Sequence, residues 1–330
     1  MTSKCYPSLN ELPPPPPGKT GWPFDGVQDR KWTEANEQLP EAGPDGLPWP
    51  RISIVTPSFN QGQFIEETIR SVLLQGYPNL EYIIMDGGSR DATVKIIRKY
   101  ESWLTYWVSE PDRGQADAIA KGFSKATGAR LGWINSDDLL MPGALLSVAA
   151  LHQSAPHALI AGNVINFHMD SGRQEICRQR NITLEALLRL WERSMLYHQP
   201  GLFFPQDAYQ KVGEIDRSLR YTMDYDLLCR LLRMNIPVVY TNRILARFRL
   251  HASSKTMAEN TNMALEAYQV SGRYWCLLGN SYRYYAFRMF AHLMLRAGKW
   301  LFRGKWNVAM QSMKGGIKLF MRRNEPKFRC

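Results

Sequence analysis

From Arg51 onward the chain alternates two rhythms of apolar positions. Short β-rich runs stand at ISIVT (52–56), LEYIIM (80–85), LTYWVS (104–109) and RLGWIN (130–135). Each is followed by a stretch with helical spacing. In the first, Phe64, Ile65, Thr68, Ile69, Val72 and Leu73 share one face of a helix expected from about Phe64 to Gln75. Further helices are expected over 92–100 and 115–126. Strand–helix alternation of this kind implies an α/β fold, a mostly parallel sheet with right-handed crossovers flanked by helices.

Beyond Pro142, which starts another helix, HALIAGNVINFH (157–168) reads as a strand and Asp170-Ser171-Gly172 as a turn. Thr183 is placed to cap a helix running to about Glu192. A helix over 224–234 follows, then strands near 238–240 and 245–250. The remainder reads as helical, and no internal repeat is present.

The two ends differ from the middle. Residues 1–50 are rich in Pro and Gly, including Pro13 to Pro17, and read as an extended arm. Trp22, Phe24, Trp32 and Trp49 are too many large aromatics for a pure linker, so part of the arm is expected on the domain surface. The net charge of +11 is confined to one segment. From Tyr282 to Cys330 there are 12 Lys or Arg and one acid, Glu325, while the rest of the chain is balanced. The five cysteines (Cys5, Cys177, Cys229, Cys276, Cys330) show neither metal spacing nor a disulfide framework. With no apolar signal core and no run of about 18 uncharged apolar residues, a reducing cytoplasm is the expected setting.

Asp137 and Asp138 end the fourth apolar run, in WINSDDLLMPGAL. Two adjacent carboxylates at the end of a buried strand are costly to desolvate and need a partner. A hard divalent cation, Mg²⁺ or Mn²⁺, suits carboxylate oxygen and can in turn hold a diphosphate. Polar loops also follow the other three runs, in IVTPSFN, YIIMDGGSRD and WVSEPDRGQAD. All four loops lie at strand carboxyl ends, where such sheets bind ligands.

The series TPSFNQGQFIEETIRSVLLQ, MDGGSRDATVKII, SEPDRGQADAIAKGF, WINSDDLLMPGAL and MDYDLLCRL resembles the inverting family-2 glycosyltransferases of the GT-A fold, over roughly residues 51–251. The resemblance implies a GT-A catalytic domain over 51–257, with a Rossmann-like nucleotide-sugar half (51–141) and an acceptor half (142–257). A basic helical extension over 258–330 completes the chain.

What the resemblance implies for single residues can be set beside the local chemistry. The turn of Thr56, Pro57, Phe59 and Asn60 cradles the nucleobase in similar enzymes, and the Phe59 ring suits stacking on a pyrimidine. The plainer alternative is that Pro57 ends the strand and Phe59 is core. Asp86 takes the ring NH of uracil or thymine, with Gly87 and Gly88 allowing close backbone approach. The other reading of Asp86 is a helix cap, for which Asp91 is better placed. Arg113, beside Asp112, either neutralises phosphate or forms a surface ion pair. Asp117 faces the same pocket one turn into the helix.

By resemblance Asp138 is the metal ligand and Asp137 touches ribose or metal. Many relatives carry Asp at Asn135, a departure that weakens the cation site. Asp224 matches the family's catalytic base, with Asp226 capping or orienting the same helix. His251 resembles a position that completes metal or diphosphate binding. His198 and Gln199 shape the acceptor side.

After Tyr282, Arg288, His292, Arg296, Lys299 and Arg303 recur at helical spacing, with Phe287, Phe290, Met294, Leu301 and Phe302 between them. Lys314, Lys318 and Arg322 continue the pattern alongside Met313, Ile317 and Phe320. Basic amphipathic helices of this kind fit an anionic membrane surface. The alternative is an apolar face packed on the protein with a solvated basic face. Nucleic acid is not expected as a partner.

The expectation is a Mn²⁺- or Mg²⁺-dependent inverting transfer of one sugar from a UDP- or dTDP-sugar to a glycan or lipid-linked hydroxyl, by a cytoplasmic enzyme peripheral to the membrane. QVSGRYW (269–275) lacks the QxxRW spacing of polymer-forming relatives. The rivals are a degenerate glycan-binding or scaffolding protein and a sugar-nucleotide pyrophosphorylase. The latter would carry a Gly-rich basic phosphate loop that TPSFNQGQF lacks.

Overall fold

The computed structural model describes residues 12–13, 42–43, 46–189, 196–252, 254, 260–278, 282–302, 306, 310 and 313–314. Among the expectations above, Trp22, Phe24, Trp32, Pro14 to Pro17, Glu192, Arg303, Ile317, Lys318, Phe320, Arg322, Cys5 and Cys330 lie outside these residues. The chain divides into two compact units, cut elsewhere than the boundaries read from the sequence. One comprises Met1–Arg180, Tyr197–Ser218 and Met234–Leu250, the other Asn181–Leu196, Leu219–Arg233 and His251–Cys330.

The first unit holds the sheet. Its strands are β1 (Ile52–Ser58), β2 (Leu80–Asp86), β3 (Tyr106–Ser109), β4 (Arg130–Trp133), β5 (Leu139–Leu140), β6 (Leu159–His168), β7 (Gln174–Cys177), β8 (Leu202–Pro205) and β9 (Val238–Leu250). The order is β3-β2-β1-β4-β8-β6-β9-β5, with β7 on β6. β1 to β4 are mutually parallel where they pair. β8 runs antiparallel to both β4 and β6, while β6 and β9 are parallel.

Every residue of β1 and β2 is buried, as a strand covered on both faces requires. Between the strands run α1 (Ile65–Leu73), α2 (Thr93–Lys99), α3 (Gln115–Lys125) and α4 (Ala144–Ser154). Ile65, Ile69, Val72 and Leu73 of α1 join Ile52, Ile54, Tyr82 and Ile84 in the core. The chain winds outward from β1 to β3, then returns to the other side of β1 as β4. That reversal opens a crevice beyond the carboxyl ends of β1 and β4, the expected place for a ligand.

The second half of the sheet is more mixed than the parallel pattern expected. β9 is one strand of 13 residues where two were read. The polar Thr241-Asn242-Arg243 break in its apolar pattern is absorbed by a register shift against β6 at Gly162 to Val164. β5, β7 and β8 are two to four residues long, too short for a period to show. α6 (Gln206–Val212) follows β8 directly. Parts of the arm belong to the core: Leu12 and Trp49 are each 5% exposed, and buried Arg70 donates to the Pro13 carbonyl at 2.6 Å.

The second unit is helical: α5 (Leu184–Leu188), α7 (Met223–Arg233), α8 (Asn260–Gly272) and α9 (Tyr282–Phe302). Thr183 caps α5, its hydroxyl accepting from Ala186 N at 3.2 Å. The Tyr225 hydroxyl of α7 donates to the Leu187 carbonyl of α5 at 3.0 Å. Among the described residues no helix is long and apolar enough to cross a membrane.

Candidate active site

The loops after β1 and β2 are laced together. Asn60, in a left-handed conformation at φ 52°, donates its N–H to Ser89 Oγ at 2.7 Å and accepts from Arg90 N at 2.9 Å. Phe59 is 59% exposed, so it is not core and its ring is open to a flat ligand. Thr56 is buried and its hydroxyl pairs with Tyr82 at 3.1 Å, while Pro57 lies inside β1 and does not end it. Ser58, beside Asp86 across the sheet, has a buried hydroxyl with no partner.

Asp86 organises its own loop. One oxygen accepts from Gly88 N at 3.2 Å, Ser89 N at 2.9 Å and Ser109 Oγ at 2.6 Å. The other accepts from Ser89 Oγ at 2.5 Å. A base N–H reaching Asp86 must displace one of these hydroxyls. Asp91, not Asp86, meets the helix start, accepting from Thr93 N at 3.0 Å. A Cβ at Gly87 would lie 2.7 Å from the Asp112 carboxylate, so any larger residue there would push that side chain aside. Gly88 has φ +83°, which side chains resist.

After β3, Asp112 accepts from Gly114 N at 2.8 Å. Burial raises its pKa, opposed by that bond and reinforced by the charge of Asp117. Asp117 is itself nearly inaccessible and held by Arg113 at 3.3 Å and Arg217 at 3.1 Å. Burial alone would raise its pKa, yet the bonds from Arg113 and the nearby cations outweigh it and hold the carboxyl below the usual range. Arg113 is therefore an ion-pair partner whose side chain is still 74% exposed, with donors left for an anion.

The aspartate pair divides. Asp137 is half-buried. Asp138 is completely buried, and both its oxygens face inward. Oδ1 accepts from Arg249 N at 3.0 Å, and Oδ2 accepts from Asn135 Nδ2 at 3.0 Å. Burial, then the charge of Asp137, pushes the Asp138 pKa well up. Asn135 in turn accepts from Gln115 at 2.7 Å. Arg249 also donates Nε to the Asp137 carbonyl at 2.8 Å and pairs with Glu67. Its guanidinium lies 4.8 Å from the Phe64 ring centre. A relay from α3 to α1 thus fixes the loop that carries Asp137.

Gln199 anchors to the end of β4, donating to the Trp133 carbonyl at 2.8 Å. His198 lies 6.3 Å from the Phe248 ring, and burial lowers its pKa to about 4, leaving a neutral imidazole. Asp224 and His251 belong to the second unit. Asp224 stands in the first turn of α7 and accepts from Tyr225 N at 2.8 Å. Asp226 is locked by Arg230 at 2.8 Å and Arg273 at 2.9 Å, which makes it an orienting group. The His251 carbonyl accepts from Ser254 N at 2.9 Å. Among the described residues no group of three His, Cys, Asp or Glu is placed to hold a metal.

Residues 53–213, which run from β1 through β8 and hold the four loops, match Glycosyl transferase family 2. This segment is a domain of that family. An uncharacterized glycosyltransferase of Rickettsia typhi is 28% identical over 236 residues, 68% of this chain and 70% of that protein. The fold is shared with S. aureus TarS (TM-score 0.53, 13% identity, 82% of this chain and 90% of that one). It is also shared with the mannosyltransferase PcManGT from Pyrobaculum calidifontis, solved with GDP-Man and Mn²⁺ (TM-score 0.53, 16% identity, 89% and 93%). TarS has been solved with UDP and with UDP-GlcNAc. The GT-A fold is thus in place, and the chain is a glycosyltransferase.

Sequence reading missed several residues that build this glycosyltransferase site: Ser58, Ser89, Ser109, Gln115, Arg217, Arg249 and Glu67. The Arg249–Glu67 pair spans 182 residues, so no local motif marks it, whereas Ser89 bonds Asp86 three residues away inside MDGGSRD.

Proposed function

We propose that this enzyme moves a single sugar from UDP, or dTDP, to a hydroxyl of a glycan or lipid-linked acceptor, with inversion. The observation that carries the proposal is the set of loops beyond the carboxyl ends of β1 to β4. There the exposed Phe59 ring, Asp86, Arg113 and Asp137 are gathered from four separate loops of one unit. Phe59 stacks on the base and Asp86 takes its N–H once a serine hydroxyl gives way. The exposed side of Arg113 faces the diphosphate. Asp112 and Asp117 support that loop. UDP-bound TarS, of the same fold, favours a pyrimidine donor.

A hard cation fits the Asp137–Asp138 pair, with the half-buried Asp137 the more accessible of the two carboxylates. Such ions commonly take one or two carboxylates and complete their shell with substrate phosphate and water. We therefore assign the cation, Mn²⁺ or Mg²⁺, to Asp137. When bound it neutralises the leaving diphosphate. The acceptor hydroxyl attacks the anomeric carbon as the bond to the diphosphate oxygen breaks, and Asp224 takes the hydroxyl proton. His198 and Gln199 line the acceptor side.

The test is a panel of nucleotide sugars titrated by calorimetry with and without Mn²⁺, on the wild type, Asp137→Asn and Asp138→Asn. Asp137→Asn should lose the metal-dependent part of donor binding in a folded protein. Asp138→Asn should instead lower the melting temperature, because its amide would set a donor against the Arg249 N–H or Asn135 Nδ2. Metal-dependent donor binding unchanged in Asp137→Asn would overturn the assignment. Sugar binding without turnover would favour the glycan-binding reading.

A further inference from the structure

The helix α9 carries two apolar faces, and only one is covered. Ala297 is buried, and Phe290, Met294 and Leu301 are half-buried on the same side. His292 stacks edge-on against Tyr268 of α8 at 6.4 Å. These contacts are what holds α9 within its own unit. Phe287, Leu295 and Phe302 are 60%, 69% and 96% exposed. They follow one another at intervals of about two helical turns, so they form a stripe. Trp306 and Met310 are also exposed, 67% and 48%. Phe287, Leu295 and Phe302 fall within about a quarter turn of one another on the helix surface, more than the scatter of single hydrophobes expected on a protein surface.

The charge around the stripe identifies what covers it. Arg288 and Lys314 are exposed. The segment from Tyr282 carries 12 basic residues against one acid, whereas the remainder of the chain is electrically balanced. A protein partner burying these apolar side chains would not by itself demand a segment whose charges are almost all basic. An anionic bilayer demands both, because the apolar stripe enters the acyl boundary and the basic residues meet the headgroups. No described helix is apolar enough to span, so the helix lies in the interface. We propose that α9 forms a docking surface for anionic phospholipid, with Phe287, Leu295 and Phe302 as the inserted side chains and the exposed Trp306 and Met310 beyond them in the chain.

Both terms are separable in one experiment. The full chain is co-sedimented with phosphatidylcholine vesicles and with vesicles containing one quarter phosphatidylglycerol, at low and high salt. Sedimentation velocity is run in parallel without lipid. The wild type should bind the anionic vesicles at least about tenfold more strongly than the neutral ones, and less strongly in high salt. Phe302→Ser, at the most exposed position, should weaken anionic binding about threefold to tenfold with the fold intact. The triple variant Phe287→Ser, Leu295→Ser, Phe302→Ser should abolish it. Arg288→Glu with Lys314→Glu should lose the preference for anionic lipid. Wild-type binding unaffected by Phe302→Ser and by the charge reversal would overturn the proposal. So would a wild-type dimer that the triple variant dissociates without any vesicle binding, which would make the stripe an interface between two copies.

Discussion

Arg249→Met is the sharpest test of how the nucleotide-sugar loop is held. Arg249 and Glu67 are both more than nine-tenths buried and pair with each other, and Arg249 Nε holds the Asp137 carbonyl at 2.8 Å. Methionine keeps most of the volume and the contact with Phe64 but removes the charge. Glu67 is then left buried with its principal cation gone. Breaking one side of a buried pair costs about 3–5 kcal/mol, most of it the stranded charge. For a domain of this size that corresponds to about 6–20 °C in melting temperature. The backbone N–H of residue 249 still reaches Asp138, so the loss is confined to the side chain. Glu67→Gln together with Arg249→Met removes the stranded charge, and should recover more than half of the stability. Denaturant titration of the wild type, both single variants and the double variant closes the cycle. A loss below about 1 kcal/mol in Arg249→Met, or a double variant no better than the single, would refute the account. The recovered double variant should still bind donor more weakly, because the Asp137 carbonyl remains unanchored.

Three further outcomes are expected. Asp224→Asn should keep donor affinity in calorimetry and lose transfer by roughly 10²–10⁴-fold, the usual contribution of a general base; near wild-type turnover would leave Asp224 as a helix cap. Glu266 of α8 accepts from Arg220 N at 2.7 Å, Tyr221 N at 2.6 Å and Thr222 N at 2.9 Å, holding the turn that leads into Asp224. Glu266→Ala should cost about 1–3 kcal/mol and lower kcat with KM unchanged, whereas a KM effect alone would assign Glu266 to binding. Finally, burial depresses His152 and His198 to about 4, with the neighbouring Arg130 charge adding to the effect at His152. The unfolded chain binds those protons near 6.5, so the stability they contribute is complete above that pH and is lost as pH falls through about 4. After allowance for partial exposure the loss is about 2 kcal/mol for each histidine, and a stability curve flat between pH 7 and 4 would contradict it.

The parallel half of the fold was legible because β1, β2 and β4 are buried along their whole length and the helices between them keep a helical apolar period. β1 to β4 and α1 to α4 therefore impose long runs and clear periods on the sequence. The antiparallel half imposes neither. β5 is two residues, β8 is Leu-Phe-Phe-Pro, and β9 hides a bulge under a polar triplet. Leu12 shows the same limit from the other side. A single apolar residue ahead of five prolines carries no period, yet it packs into the core against the surface that Arg70 closes.

The site was legible in its loops and not in its supports. Asp86, Arg113 and Asp137 lie at strand ends, and strand ends can be read from a pattern. Whether a carboxylate in such a loop faces ligand or protein depends on what reaches it from elsewhere in the chain. Asp137 and Asp138 are adjacent and chemically identical, and the sequence ranked Asp138 as the metal ligand. The two differ in burial: the Arg249 N–H and Asn135 each hold one oxygen of the fully buried Asp138, whereas Asp137 stays half-buried. Asn135 therefore looks like a weakened acid in the motif and acts as a donor in the structure. An aspartate there would set a third carboxylate against a buried one already pushed toward its neutral form by burial and by Asp137.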